Sequence, residues 1–260
     1  MSVVRLTLAY DGTEFRGWAK QRGQRTVEGV LTDALSRFLG DVPRLSVAGR
    51  TDAGVHARAQ VASFAALADT VDLTRLQRSV NTMLSPEVVV TDARWMSNGF
   101  NARFSATARE YRYRIDAGPW SDPFEARFVW SRPRELSVGA MRAAARHLVG
   151  EHDFSAFSRS AGEGTSNVRR LQRLAISRTG DRVDVVARAN AFAHQMVRSL
   201  VGILVAVGDG SRDAAHVPLV LESRDRGRVP SIAPPHGLTL ERVLYGRNSR
   251  VDPRPRDEGA

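Results

Sequence analysis

Hydrophobic and polar residues alternate in the first half of the chain in a way that predicts strands and two helices. Residues 4–10 place an apolar side chain at every second position and run into Asp11-Gly12, which is typical of a strand that ends in a tight turn. From Thr26, a suitable N-cap, apolar residues recur at the spacing of an amphipathic helix. The predicted elements are strand 4–10, helix 26–39, strands 45–47 and 60–64, helix 72–84 and strand 88–90.

The second half of the chain repeats this order of elements, without a repeat at the level of residues. Tyr111, Tyr113 and Ile115 alternate with arginines, as in another strand with one buried face. The predicted elements are strand 111–115, helix 138–149, strands 174–176 and 183–186, helix 192–207 and strand 238–244. Both halves therefore follow the β-α-β-β-α-β order of ferredoxin-like domains, which RNA-recognition modules also use.

We predict an α+β fold with two ferredoxin-like or RRM-like halves, each built on an antiparallel sheet. The expected N-terminal domain covers residues 1–105, and the expected C-terminal domain covers residues 106–247. Two stretches rich in Ser, Gly or Pro, 155–167 and 208–237, are expected to be irregular and would suit functional loops, and 248–260 is expected to be a disordered tail.

Composition narrows the possible chemistry and partners. The chain has no cysteine, which excludes disulfide scaffolds, thiolate metal centres and cysteine nucleophiles. Lys20 is the only lysine, so a Gly-Lys-Ser/Thr phosphate loop is excluded. The net charge of +10 favours a polyanion such as RNA as partner, although an arginine-rich coding bias would give the same charge. Because the sequence has neither a long apolar run nor a signal peptide, we expect a cytoplasmic protein that does not enter a membrane.

The segment Gly49-Arg50-Thr51-Asp52-Ala53-Gly54 places one carboxylate in a glycine-bounded loop between two predicted strands. Taken alone, an Asp in such a position most often caps a turn or a helix, because its side chain accepts backbone N–H groups. A catalytic interpretation of Asp52 therefore needs further motifs elsewhere in the chain.

Such motifs occur in a fixed order along the sequence. Besides residues 49–57 they are Tyr10-Asp11-Gly12-Thr13 with Phe15, Gly17, Trp18 and Gln21, then Thr26-Val27-Glu28-Gly29, and residues 100–105, 109–113, 152–154, 190–192, 196–202 and 233–238. Together they resemble the TruA family of tRNA pseudouridine synthases over roughly residues 3–246, and several ordered motifs are far more specific than any one of them.

The resemblance implies a cofactor-free isomerisation of uridine to pseudouridine in the anticodon stem-loop of tRNA, at nucleotides 38, 39 and/or 40. It implies that the two sheets join around a central RNA-binding cleft. It assigns Asp52 as the catalytic nucleophile, and Arg50 is placed to pair with this carboxylate. Three versions of the first step stay open: attack of Asp52 on C6 of the uracil ring, attack on C1′ of the ribose, or removal of a ribose proton.

The resemblance also assigns two residues of the second half to the site. Tyr111 would stack on the flipped uracil and use its hydroxyl in proton transfer at C5, and Arg198 would lie near the nucleophile. Each has a structural alternative. Tyr111 fits a strand whose alternate residues form a core, and Arg198 fits a boundary arginine that extends its charge to water.

Two segments match RNA-contacting parts of the family. Phe100-Asn101-Ala102-Arg103-Phe104 matches the segment used in base flipping, and residues 158–170, which include Arg169, match a second RNA-facing loop. Family members often carry His where Asn101 stands. Alternatively, Phe104 belongs to the core and Arg103 is a solvated surface charge.

We expect neither a metal nor a cofactor, since the histidines lack ligand spacing and the implied reaction needs none. His56 is expected to orient a loop by a hydrogen bond. The expected partners are tRNA and, by the resemblance, a second copy of the chain in a homodimer. Two alternatives remain: an RRM-type module without catalysis, whose Lys/Arg-Gly-Phe-type motif is not evident, and an Asp-dependent phosphohydrolase, which would need clustered carboxylates.

Overall fold

The computed structural model describes residues 2–41, 43–67, 71–159 and 166–246. These residues form two compact units, the first with residues 2–41, 43–53, 57–67, 71–107 and 243–246, the second with residues 54–56, 108–159 and 166–242. No helix within these ranges combines the length and apolarity needed to cross a membrane.

Neither unit is a single continuous stretch of chain, and the predicted boundary between residues 105 and 106 stays a prediction. The tail 248–260 lies outside the described residues, as do residues 160–165 of the predicted irregular stretch 155–167.

The first unit contains an antiparallel sheet and two helices. Its elements are β1 (Ser2–Tyr10), α1 (Val27–Leu39), β2 (Ser46–Val47), β3 (His56–Ala66), α2 (Leu73–Leu84) and β4 (Val88–Met96). The strands lie in the order β4-β1-β3-β2, because β1 pairs with both β4 and β3, and β2 pairs with the other edge of β3. Val4, Leu6 and Leu8 of β1 are completely buried, as their alternation predicted.

Local sequence explains where the two helices of this unit begin. The Thr26 side chain accepts the backbone N–H of Gly29 at 3.2 Å, and Asp72 accepts the N–H of Thr74 at 2.8 Å. Each side chain therefore satisfies at least one of the N–H groups that a helix start leaves unpaired, and Asp72 also accepts the N–H of Arg75 at 3.1 Å. Gly40, in the left-handed conformation, ends α1.

The second unit contains more elements. They are β5 (Ala106–Asp116), β6 (Trp130–Ser131), α3 (Val138–Arg146), β7 (Gly150–Asp153), β8 (Val168–Thr179), β9 (Arg182–Ala189), α4 (Met196–Gly208), α5 (His216–Ser223) and β10 (Leu238–Tyr245). The strands lie in the order β10-β5-β9-β8-β7, and β6 pairs with β5. The strands β10, β5, β9 and β8 follow one another across the sheet as β4, β1, β3 and β2 do in the first unit. Each of these four strands also has the same place in the order of elements along the chain.

The predicted α+β class is confirmed, but some element boundaries were wrong. The predicted helix 192–207 begins only at Met196, because the Asn190 side chain accepts the N–H of Ala191 at 2.8 Å and Gln195 has a left-handed φ of 64°. The stretch 208–237, predicted to be irregular, contains α5. Its Pro218 lies in the first turn, where a proline removes no helical hydrogen bond.

Candidate active site

Asp52 lies in the loop between β2 and β3, where its neighbour Thr51 is held by a buried hydrogen-bond network. The Thr51 hydroxyl is 2.8 Å from the hydroxyl of Tyr10, the last residue of β1. Gln60 of β3 donates from Nε2 to the Tyr10 hydroxyl at 3.3 Å and to the Gly49 carbonyl at 2.7 Å. Burial raises the pKa of Tyr10 to about 12. The loop that carries Asp52 is therefore fixed to two strands of the sheet.

The chain that follows β1 packs directly against the Asp52 backbone. The Trp18 N–H donates to the Thr51 carbonyl at 3.0 Å. At Gly17, whose φ is +90°, a Cβ would lie 2.8 Å from the Thr51 carbonyl oxygen and 3.2 Å from the carbonyl carbon of Asp52, so only glycine permits this approach. The Asp52 side chain is half-buried and that of Arg50, two residues earlier, is exposed. The loop thus presents both charged residues from a fixed backbone.

The imidazole of His56, at the start of β3, forms hydrogen bonds with backbone carbonyl groups. Its Nε2 is 3.0 Å from the Arg127 carbonyl oxygen and 3.1 Å from the His236 carbonyl oxygen. Because carbonyl oxygens only accept, Nε2 carries the proton. The ring also packs against Phe128 with the centroids 4.8 Å apart. The predicted hydrogen-bonding role of His56 is confirmed.

Residues 100–105 form a tight turn with two of its predicted RNA-binding residues buried. Phe100 is 6% exposed and Ala102 0% exposed. The Phe100 ring packs against Tyr245 with the centroids 5.1 Å apart, and the Tyr245 hydroxyl donates to the Ala102 carbonyl at 2.8 Å. Phe100 and Ala102 therefore anchor the turn, and their predicted role in RNA binding stays a prediction.

The tip of this turn is formed by Arg103 and Phe104, both of which are exposed. Phe104 is 78% exposed, which excludes the alternative that it belongs to the core. The guanidinium carbon of Arg103 lies 5.4 Å from the centroid of the Phe104 ring, within the range of a cation–π contact. An aromatic ring with an adjacent positive charge suits stacking on a base beside a phosphate.

In the second unit, Tyr111 is a buried residue of β5. It is 7% exposed and shares a face of the strand with Tyr113 and Ile115, which are completely buried. Its ring meets that of Phe192 edge to face, with the centroids 5.2 Å apart. The alternating core strand is therefore confirmed, and the catalytic role of Tyr111 stays a prediction.

Arg198 lies in the first turn of α4 and is half-buried. Its Nε donates to the Ala233 carbonyl at 2.8 Å, and the Ala233 N–H donates to the Arg198 carbonyl at 3.1 Å. The neighbouring Pro234 carbonyl accepts the Tyr113 hydroxyl at 2.8 Å. Burial raises the pKa of Tyr113, and the positive charge of Arg198 partly offsets this increase. Arg198 is therefore both a structural residue of its unit and a positive charge near β5.

Arg169, on β8, is also engaged with the backbone. Its Nη1 donates to the Ser166 carbonyl at 2.9 Å and to the Val168 carbonyl at 2.7 Å. The predicted RNA-facing segment 158–170 is described only in part, since residues 160–165 lie outside the described ranges.

Known proteins resemble this chain over most of its length. A protein named tRNA pseudouridine synthase A from Frankia casuarinae is 48% identical over 246 residues, which cover 93% of this chain and 89% of that protein. The chain belongs to the tRNA pseudouridine synthase A family. The proteins of the same name from Mesorhizobium japonicum and Brevibacillus brevis are 43% and 39% identical, and both matches cover 94% of this chain and 100% of the relative. The family model described as tRNA pseudouridine synthase matches residues 144–246.

Membership in this family makes the chain an isomerase and decides against the RRM-type module and the phosphohydrolase. Around Asp52, the sequence motifs do not reveal the supporting contacts of Tyr10, Gly17 and Gln60, although all three residues lie in or beside these motifs. Tyr10 and Gln60 are polar residues on predicted strands within or beside these motifs, and this is the signal that could have identified them as supports of the Asp52 loop.

Proposed function

We propose that this chain isomerises uridine to pseudouridine in the anticodon stem-loop of tRNA, with Asp52 as the catalytic carboxylate. The observation that supports this role is that the backbone of the loop is held by buried contacts while the Asp52 side chain stays partly accessible. Thr51 is buried and bonded to Tyr10, and Gly17 packs against the backbone, whereas the Asp52 side chain is only half-buried. Pre-organised backbone around a charged group is what positioning of a reactive carboxylate requires.

The reaction needs no cofactor because uridine and pseudouridine are isomers. The N1–C1′ glycosidic bond breaks, the base turns, a C5–C1′ bond forms, and the proton on C5 leaves and is replaced at N1. The residues supply a carboxylate and a site that holds the detached uracil. Attack of Asp52 on C6, attack on C1′, and removal of a ribose proton all use the ionised carboxylate.

The target uridine must first leave its stack, which costs a few kcal/mol. The proposed element for this step is the tip of the turn 100–105. Phe104 is exposed and its backbone is anchored, so its ring can occupy the space that the extruded base vacates without first becoming ordered. Arg103 adds a positive charge for the adjacent phosphate.

The remaining roles rest on the family resemblance. Tyr111 stacks on the uracil and its hydroxyl takes part in proton transfer at C5. Arg50 and Arg198 provide positive charge for the carboxylate, and Arg169 binds the RNA backbone. The proposal includes two ferredoxin-like halves, a cytoplasmic location and a homodimer. Light scattering at micromolar concentration should give twice the mass of one subunit, and the mass of a single subunit would contradict the dimer.

The central experiment measures tritium release from C5-tritiated uridine in tRNA by the wild type and Asp52→Asn. Asn keeps the size and most hydrogen bonds of Asp but removes the charge, so turnover should fall by orders of magnitude with tRNA affinity and melting temperature unchanged. Asp33→Asn, which removes an exposed carboxylate from α1 of the same unit, is the matched control and should be fully active.

Mass mapping of pseudouridine in the reacted tRNA then gives the modified positions. Product in the anticodon stem-loop is expected. If the Asp52→Asn enzyme melts normally and keeps a tenth of the turnover, Asp52 is not the catalytic carboxylate. Product confined to another arm of the tRNA would refute the proposed site of modification.

A further inference from the structure

Two serines that face each other across the β2–β3 ladder hold consecutive residues of the turn 100–105. Ser46 of β2 and Ser63 of β3 are register partners. The Ser46 hydroxyl accepts from Nδ2 of Asn101 at 3.1 Å, and the Ser63 hydroxyl accepts from the N–H of Ala102 at 3.0 Å. This pair of contacts, which we call the serine clamp, fixes the turn to the strand pair that leads into and out of the Asp52 loop.

Every polar group of Asn101 takes part in this arrangement. Its Oδ1 accepts the N–H groups of Arg103 at 2.9 Å and Phe104 at 3.2 Å. Its own N–H donates to the Ser105 hydroxyl at 3.0 Å, and its carbonyl accepts the Ser105 N–H at 2.9 Å. Asn101 therefore shapes the backbone under the exposed tip with one end of its amide and binds β2 with the other.

We propose that Asn101 is a positioning residue that sets the Phe104 ring in a fixed place relative to the Asp52 loop. Its Oδ1 fixes the direction in which Arg103 and Phe104 leave the turn, and its Nδ2, through Ser46, fixes the turn to the strand that precedes Asp52. This inference rests on the proposed function, because it assumes that Phe104 enters the RNA and that Asp52 reacts with the extruded uridine.

The physical reason for the clamp is the small tolerance of a reaction between two positioned groups. A displacement of about 1 Å between them can cost on the order of 100-fold in rate. The strand β2 contains only Ser46 and Val47, so the side-chain bond to Asn101 adds substantially to the fixation of this short element. Affinity for tRNA depends mainly on phosphate contacts, which the clamp does not make.

The test compares Ser46→Ala, Ser46→Thr and Asn101→Leu with the control Ser36→Ala, which removes a hydroxyl bonded to a backbone carbonyl on α1. Ser46→Ala should lower kcat about 10-fold and Asn101→Leu about 100-fold, with the tRNA Kd changed less than about threefold. Ser46→Thr keeps the acceptor and should restore most of the rate. Ser36→Ala should match the wild type.

Two double variants separate positioning from general destabilisation. Ser46→Ala combined with Asn101→Leu should be no slower than Asn101→Leu alone, since both remove the same bond. In a Phe104→Ala background, Ser46→Ala should have no further effect, because the ring whose position the clamp sets is gone. If Asn101→Leu lowers the melting temperature, the kcat of the milder variant Ser46→Ala decides whether the clamp positions the turn.

Wild-type kcat in Ser46→Ala, or an equal loss with and without the Phe104 ring, would overturn the inference. The Asp52→Asn variant distinguishes the two proposals. If Asp52→Asn is inactive and Ser46→Ala fully active, the proposed function stands and the clamp is refuted. If Asp52→Asn is active, the proposed function itself fails.

Discussion

The two units share a strand order but differ in how they hold their candidate functional residues. In both, a buried tyrosine on the first strand tethers a loop: Tyr10 bonds Thr51 in the first unit, and Tyr113 bonds the Pro234 carbonyl in the second. In the first unit the candidate side chains Arg50, Arg103 and Phe104 are exposed on fixed backbone. In the second, Tyr111 is packed and Arg198 is bonded to the Ala233 carbonyl.

This difference separates two ways of building a site. Where supports and candidate reactive groups are different residues, as in the first unit, a candidate group can be replaced at little cost in stability. Where one residue is both a support and a candidate for the reaction, as in the second unit, its replacement should affect activity and folding together.

Among the substitutions that compare the two units, the largest effect is expected at Gly17 of the first unit. Gly17→Ala places a Cβ 2.8 Å from the Thr51 carbonyl oxygen, so the Asp52 loop must shift, and turnover should fall about 100-fold. Gly23→Ala is the matched control, because Gly23 also has a positive φ but a Cβ there meets nothing within 4 Å. Tritium release measures both variants. Equal activity of the two would show that the loop tolerates displacement.

The next largest effect contrasts two aromatic residues by unfolding in urea. Tyr111→Leu should lower the free energy of unfolding by about 2 kcal/mol, because it removes a packed ring and its contact with Phe192. Phe104→Leu should change it by less than about 0.5 kcal/mol, because Phe104 is 78% exposed. Tyr111→Phe keeps the packed ring and should lose turnover if the hydroxyl handles a proton. Equal destabilisation by Tyr111→Leu and Phe104→Leu would contradict the proposed difference between the two units.

Two arginines provide a smaller contrast of the same kind. Arg198→Met removes the bond from Nε to the Ala233 carbonyl and should cost about 1.5 kcal/mol of stability. Arg50→Met should cost less than about 0.5 kcal/mol, because its side chain is exposed. Both variants should lose turnover. Thermal melting measures the stability of both variants, and the tritium assay measures their turnover. If Arg198→Met is as stable as the wild type, Arg198 does not support the fold any more than Arg50 does.

The smallest effect is expected for Tyr10→Phe, which removes the hydroxyl that bonds Thr51 and should cost about 1 kcal/mol at pH 8. Because burial raises the folded pKa from 10.0 to about 12, the wild type is favoured below pH 10 and steadily loses stability relative to Tyr10→Phe between pH 10 and pH 12. The loss is about 1.4 kcal/mol per pH unit, so the two proteins should be about equally stable near pH 11. A difference in the free energy of unfolding that stays constant from pH 8 to pH 11 would contradict the raised pKa of Tyr10.

Much of the fold could be predicted from the sequence because its signals are local. Alternation predicted β1 and β5, and the N-caps Thr26 and Asp72 fixed where α1 and α2 begin. The start of α4 was predicted too early, because apolar periodicity continued through a loop that the Asn190 side chain and the left-handed Gln195 keep out of the helix. A side chain that competes with the helix for backbone N–H groups is not visible in periodicity.

The sequence by itself determined the α+β class, the position of Asp52 in a short loop and the family motifs, since these depend on residues close together in the chain. Only the tertiary structure decided that Phe100 and Ala102 are buried while Phe104 is exposed, that Gly17 touches the Asp52 backbone, and that Ser46 and Ser63 hold the same turn. Each of these joins residues distant in sequence. Such contacts depend on strand register, where a shift of one residue would turn Ser63 to the other face and release Ala102.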